Sequence, residues 1–155
     1  MFDYPVTVTW NRGKDEIFTD KKYSREHMWE FDSGNRVAAS PSHHIVPLPH
    51  SNPDNIDPEQ AFVAALSSCH MLFFLDLASS AGFVVDSYED EALGILSRIR
   101  KNVYAMSKVT LRPKCTYSGT KIPTRDELEH LHHKSHEMCY IANSVTTEIV
   151  TEIIS

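Results

Sequence analysis

The chain predicts an α+β protein, and three observations carry that expectation. One long run, Pro58 to Ala81, has no proline after its first residue, with a helix-start signal before it and a glycine after it. A second helical segment opens at Thr124 and runs to Met138. Segments of β-rich alternation lie before, between and after these helices as groups, which is the order of an α+β domain and not of an alternating α/β one.

In chain order, Val6 to Trp10 alternates and is rich in β-branched residues, so it is a strand, with Asn11-Arg12-Gly13 turning the chain. Arg25 to Phe31 is a second strand, closed by Asp32-Ser33-Gly34-Asn35. From Ser40 to Asn55 four prolines (Pro41, Pro47, Pro49, Pro53) impose an irregular loop, and a loop of that length in a compact domain is commonly functional or tied down by a partner. Asp57 is an N-cap for the long helix, Pro58 fits its first position, and Gln60 can reach back as a capping-box partner. Gly82 is placed to end it.

The long helix is apolar nearly all round: Phe62, Val63, Leu66, Met71 to Leu75 and Leu77. Such a helix must be covered on most sides. A chain of 155 residues has little material for that, which favours packing against a second copy. Ser67, Ser68, His70 and Asp76 interrupt the run, so a buried core helix is expected and not a membrane span. Val84 to Ser97 and Val103 to Tyr117 are strand-like, with a loop at Lys101-Asn102. Thr124 with Glu127 three residues on is a capping box for the second helix. Ile141 to Asn143 adds a short turn, and Thr146 to Ile154 a final strand.

The net charge of −6 disfavours a phosphate backbone as partner, so no nucleic acid is expected. The start, Met1-Phe2-Asp3-Tyr4-Pro5, carries no basic stretch followed by an apolar run, and a cytoplasmic location is expected. Three widely spaced cysteines are no secreted disulfide framework; in a reducing compartment their reactivity is of more interest.

Cys69 lies mid-helix, where a free cysteine ordinarily just packs, and burial disfavours the thiolate that does chemistry. A reactive Cys69 would need a nearby cation, and the helix N-terminus is too distant to act as one. Cys139 follows the second helix, and helix ends are more accessible and mobile than helix middles, which suits a resolving thiol. Cys115, after Pro113, is expected to pack. Glu59 sits in the first helical turn, where the dipole favours a carboxylate. It is ten residues from Cys69, about 15 Å along a straight helix. One arginine does not comfortably span that, so an arginine linking the two would draw them from different subunits. His130, His132, His133 and His136 cluster on the second helix, with His132 and His136 at i, i+4 spacing. Exposed histidines on a polar helix are ordinarily surface, and the spacing around Cys139 fits no familiar zinc module, so no metal and no cofactor are expected.

At this point the chain resembles the OsmC/Ohr family of thiol-dependent peroxidases. The most specific part is Asp57-Pro58-Glu59-Gln60-Ala61-Phe62-Val63-Ala64-Ala65-Leu66-Ser67-Ser68-Cys69-His70-Met71. The second match is His136-Glu137-Met138-Cys139-Tyr140-Ile141-Ala142-Asn143-Ser144-Val145. The resemblance extends over nearly the whole length and implies a single OsmC-like domain, residues 1–155. It implies an intertwined homodimer, with long central helices packed against antiparallel sheets and active sites at the subunit interface. It also implies a mechanism in which Cys69 reduces a hydroperoxide and becomes a sulfenic acid, Cys139 condenses with it to a disulfide, and an external dithiol restores both thiols. In the family an arginine stabilises the thiolate and a glutamate positions the arginine; Arg25 and Glu59 are the corresponding residues, with Arg36 the other candidate for the arginine. The chain reads Cys139-Tyr140-Ile141 where the organic-hydroperoxide branch tends to have Cys-Pro-Tyr, and its proline-rich loop is long, so it looks more like a third branch. That leaves substrate and reductant open, with a lipoyl-bearing protein or thioredoxin as candidate reductants. The apolar neighbours of Cys69 suit an alkyl or lipid hydroperoxide.

Two other functions fit parts of the pattern. A cysteine hydrolase or transferase would use Cys69 with His70 or His27 as base, although adjacent helix residues do not face each other. A non-catalytic metal or small-ligand module would use the His130 to His136 cluster.

Overall fold

A computed structural model describes residues 1–154. By contacts the chain divides into two compact units, 1–61 and 62–155, each described by itself.

The first unit is a three-stranded antiparallel sheet in the order β1 (Val6–Thr9), β2 (His27–Phe31), β3 (Arg36–Ala39). Trp29 is the middle of the register, opposite Val8 on one side and Val37 on the other. Gly34 closes the β2–β3 hairpin at φ +83°, a conformation glycine adopts without penalty, while its N–H donates to the Phe31 carbonyl. The strand β3 lies in a stretch to which the sequence assigned no element. Arg25 precedes β2 and is not part of it.

The loop after β3 is irregular, as its prolines dictate, but well bonded. Ser40 and Ser51 are buried in it. The Ser40 hydroxyl accepts from the Asn52 N–H at 2.8 Å, and the Ser51 hydroxyl donates to the Val46 carbonyl at 2.6 Å. Asn52 and Asn55 both donate to the Glu26 carboxylate.

The long helix α1 (Pro58–Ser80) begins at the end of this unit. Asp57 caps it, its carboxylate accepting from the Gln60 N–H at 2.7 Å. The return bond from the Gln60 side chain, which would complete a capping box, is absent from the hydrogen bonds among the described residues. Gly82 terminates the helix at φ +81°.

The second unit holds the rest of α1, two sheets and α2 (Arg125–Met138). Each of the two long β segments breaks in the middle. Val84 to Ser97 becomes β4 (Val84–Asp90) and β5 (Leu93–Arg100); Val103 to Tyr117 becomes β6 (Val103–Leu111) and β7 (Pro113–Ser118). The Asp90 carboxylate stands at both breaks, accepting from the Arg112 N–H and from the Ser67 hydroxyl of α1. β4 pairs with β7, and β5–β6 with β8 (Glu148–Thr151). The β6–β8 pair is parallel, so the sheets are not antiparallel throughout.

Only one stripe of α1 is buried: Leu66, His70, Phe74 and Ala78, at i, i+4 spacing. Phe74 and Ala78 form a core with Phe83 and with Leu131 of α2; Leu66 forms another with Val109 and Leu111 of β6. Leu72 is 61% exposed. By length and a mean hydropathy of 1.7 the helix is long and apolar enough to cross a membrane, contrary to the expectation from its polar interruptions. What marks it as a core helix is that its buried stripe packs into the unit's own two cores.

Candidate active site

The helix α1 carries Cys69 half-buried, one position before the buried His70. Four residues on, Phe73 meets the Tyr140 ring edge-on, with centroids 5.0 Å apart. Tyr140 follows Cys139, which is the C-cap of α2. Helix α2 starts where the sequence places it: Thr124 accepts from the Glu127 N–H while the Glu127 carboxylate accepts from the Thr124 N–H. Because α2 packs Leu131 against Phe74, its far end is delivered to the middle of α1.

The result is that Cys69 and Cys139, 70 positions apart in the chain, are neighbours, the Cys69 thiol lying close enough to Cys139 to raise its pKa. Both are free. The turn after α2 is fixed by the backbone: the Asn143 N–H and side-chain amide both donate to the Cys139 carbonyl, and the Ala142 N–H donates to Cys139 Sγ at 3.3 Å.

The burial of the two thiols is the reverse of what their positions in the chain predict. Cys139, at a helix end, is 1% exposed, and Cys69, mid-helix, is the more accessible. The physical reason is that the residues following α2 fold back as a 3-10 turn (Ala142–Ser144), with Ile141 and Ala142 packed on the Leu66 core. Burial, and next the Cys69 thiol, push the Cys139 thiol up to about 11; the Ala142 N–H opposes this. Cys139 is therefore protonated at neutral pH.

Arg25 and Glu59 lie in the first unit. The Arg25 guanidinium donates to the carbonyls of Tyr23 and Lys21, both at 2.8 Å, and stacks over the Tyr23 ring at 4.2 Å. Glu59 has one carboxylate oxygen, Oε2, buried with no hydrogen-bond partner among the described residues. A buried carboxylate oxygen without a donor is costly. Arg36 is an exposed residue paired with Glu30 across the hairpin at 3.3 Å.

Reading the α2 histidines as surface groups fails for His132. His130 and His133 are exposed, but His132 is buried. Its Nδ1 is 2.9 Å from Nε2 of His70, and its ring stacks on Phe74 with centroids 4.3 Å apart. Burial holds both rings in the neutral form: His70 is lowered to about 4, His136 adding to the effect, and His132 to about 3, His70 and Arg125 adding to it. The signal was present in the chain, since His132 follows Leu131 and is four residues from Leu128, on the apolar stripe of α2. Among the described residues no three His, Cys, Asp or Glu side chains are arranged to hold a metal ion.

An α+β fold with two neighbouring free thiols, one of them at a helix C-cap, defines a candidate dithiol protein. The family model of OsmC-like proteins matches residues 51–154, and the chain belongs to that family. It is similar to an OsmC-like protein of unknown function from Vibrio cholerae, at 54% identity and a TM-score of 0.96, covering 99% of this chain and 100% of that one. The fold is shared with an organic hydroperoxide resistance protein OsmC from Legionella pneumophila (15% identity, TM-score 0.71, 99% and 96% covered). It is shared also with the organic hydroperoxide resistance protein OhrB of Bacillus subtilis (18% identity, TM-score 0.67, 99% and 98% covered). No curated protein matches the chain.

Proposed function

We propose that this protein is a cytoplasmic thiol-dependent peroxidase that reduces organic hydroperoxides, working as a homodimer of single OsmC-like domains. The observation that carries this reading is that two free thiols far apart in the chain, Cys69 and Cys139, are brought next to each other. Membership of the OsmC-like family supports the redox class, and the hydroperoxide-resistance names of structural neighbours support the substrate class.

In this mechanism the Cys69 thiolate attacks the distal oxygen of the hydroperoxide. The O–O bond breaks, the alkoxide leaves and is protonated to the alcohol, and Cys69 becomes a sulfenic acid. Cys139 then attacks the Cys69 sulfur; hydroxide leaves, takes up the Cys139 proton and departs as water, and a disulfide forms. An external dithiol reduces the disulfide by exchange and is itself oxidised. Arg25 stabilises the Cys69 thiolate and Glu59 positions Arg25, the orphan carboxylate oxygen of Glu59 being the acceptor that such a cation would satisfy. The more accessible thiol takes the peroxide, and the buried, protonated one waits to condense.

The test is mass spectrometry of the thiols after one equivalent of cumene hydroperoxide. A Cys69–Cys139 disulfide is expected. Cys69→Ser should abolish peroxide consumption, and Cys139→Ser should let a dimedone-reactive sulfenic acid build up at Cys69. If both thiols survive unreacted, the peroxidase reading falls. Cumene hydroperoxide is expected to react faster than hydrogen peroxide; the opposite preference would remove the organic substrate class.

A further inference from the structure

A cavity of about 280 Å³ lies in the second unit, just below the range of roughly 300–1,000 Å³ typical of small-molecule sites. It is built on the N-terminal half of α2 and on β7. Its lining includes neither Cys69 nor Cys139; Arg125 is 14 residues and His132 seven residues before Cys139, about 21 Å and about 10 Å along the helix.

Its walls are apolar where Leu128 faces Pro113, Ile153 and Ile154. Four polar side chains complete the lining: Cys115, Tyr117, Arg125 and His132. Three of them are neutral at physiological pH. Cys115 and Tyr117 are neighbours, and burial raises both groups above their ordinary values. His132 is held neutral by burial, with Nδ1 committed to His70. Arg125 is the one charge among the lining residues. Its Nε donates to Glu129 at 2.8 Å and its Nη1 to the Ile153 carbonyl at 3.2 Å. A guanidinium has five N–H groups, and these two bonds fix the head at the cavity while leaving others to donate.

We propose that this cavity is a second ligand site, for a small molecule with an apolar body and one carboxylate. The carboxylate pairs with Arg125, and the apolar body lies against Leu128, Ile153 and Ile154. A neutral lining elsewhere explains the limit to one anionic group. A dianion such as phosphate finds only this one cation, already shared with Glu129. A cationic ligand meets no lining carboxylate.

The test uses the Cys69→Ser full-length protein, so that it is independent of any peroxide chemistry, with hexanoate as probe and 1-hexanol as its uncharged counterpart. The readout is local: the rate at which a maleimide labels Cys115, read by mass spectrometry, as each probe is titrated. Saturable protection by hexanoate is expected, with at least tenfold weaker protection by hexanol. Arg125→Met, which keeps the apolar stem, should weaken hexanoate at least tenfold and change hexanol little. Equal protection by the two probes, no protection at all, or hexanoate protection that survives Arg125→Met would each overturn the proposal.

Discussion

At the scale of the residue, Cys139 is a thiol that the fold keeps protonated. Held near 11 by burial and by Cys69, its thiolate fraction at pH 8 is about a hundredth of that of an ordinary thiol near 9. Iodoacetamide should therefore label Cys139 about a hundredfold more slowly in the native protein than in denaturant, before any loss of access is added. The rate should rise about tenfold per pH unit up to about pH 11. A rate that levels off near pH 9, as an ordinary thiol's does, would show that access alone protects it. The buried histidines make a different pH prediction. Both are lowered in the fold, so on acidification the unfolded chain takes up protons at about 6.5 that the native protein refuses until about 4 and about 3. The stability they contribute is complete above pH 6.5 and is lost as pH falls towards 4, by about 1.4 kcal/mol per pH unit for each ring. Urea midpoints measured from pH 7 to pH 4 should fall more steeply for the wild-type protein than for His132→Gln; parallel lines would refute the assignment.

At the scale of the element, legibility followed how local each signal was. Both helices were readable to within a residue or so because Asp57, Gly82, Thr124 and Glu127 act within one turn of where they stand. Thr124→Ala removes one half of the capping box and should cost about 1 kcal/mol in chemical denaturation. The strands were readable as β-rich segments but not as elements. Nothing within Val84 to Ser97 announces the break at Glu91-Ala92, because Asp90 makes it by bonding Ser67 and Arg112 from distant parts of the chain. The short β3 was missed for the same reason: its four residues are fixed by register against β2. Gly94 on β5 shows a constraint that only packing reveals. A methyl there would collide with Val63 of α1 and with the end of Met106 on β6. The Met106 tip can move; the branched Val63 on a helix has less freedom. Gly94→Ala should destabilise the protein by about 1–3 kcal/mol, and a neutral result would mean that α1 and β5 can part without loss.

At the scale of the whole molecule, the problem is the uncovered part of α1. Its apolar residues encircle the helix, yet one i, i+4 stripe is buried and Leu72 is 61% exposed. The proposed homodimer would cover this surface, and closed two-fold pairing is the commonest arrangement of such copies. It would also account for a candidate site whose residues are divided between the two units. The thiols in the second unit were legible as a pair only through the family resemblance, since 70 positions separate them. Glu59 and Cys69 are ten residues apart on one helix, about 15 Å, too far for one arginine to serve both in the same chain. If Glu59 of one subunit positions the arginine that faces Cys69 of the other, each active site is composite. Leu72→Glu should then lower the native mass towards that of a single chain, and peroxidase activity should fall with it. The decisive measurement is complementation. Glu59→Gln and Cys69→Ser homodimers are each expected to be nearly inactive. Unfolded together and refolded, they form mixed dimers in which one site combines an intact Glu59 with an intact Cys69. Random pairing with one native site per mixed dimer restores about a quarter of the wild-type activity. A same-chain site would restore none, because every chain in the mixture lacks one of the two residues, and Arg25 would then have to reach Cys69 without Glu59.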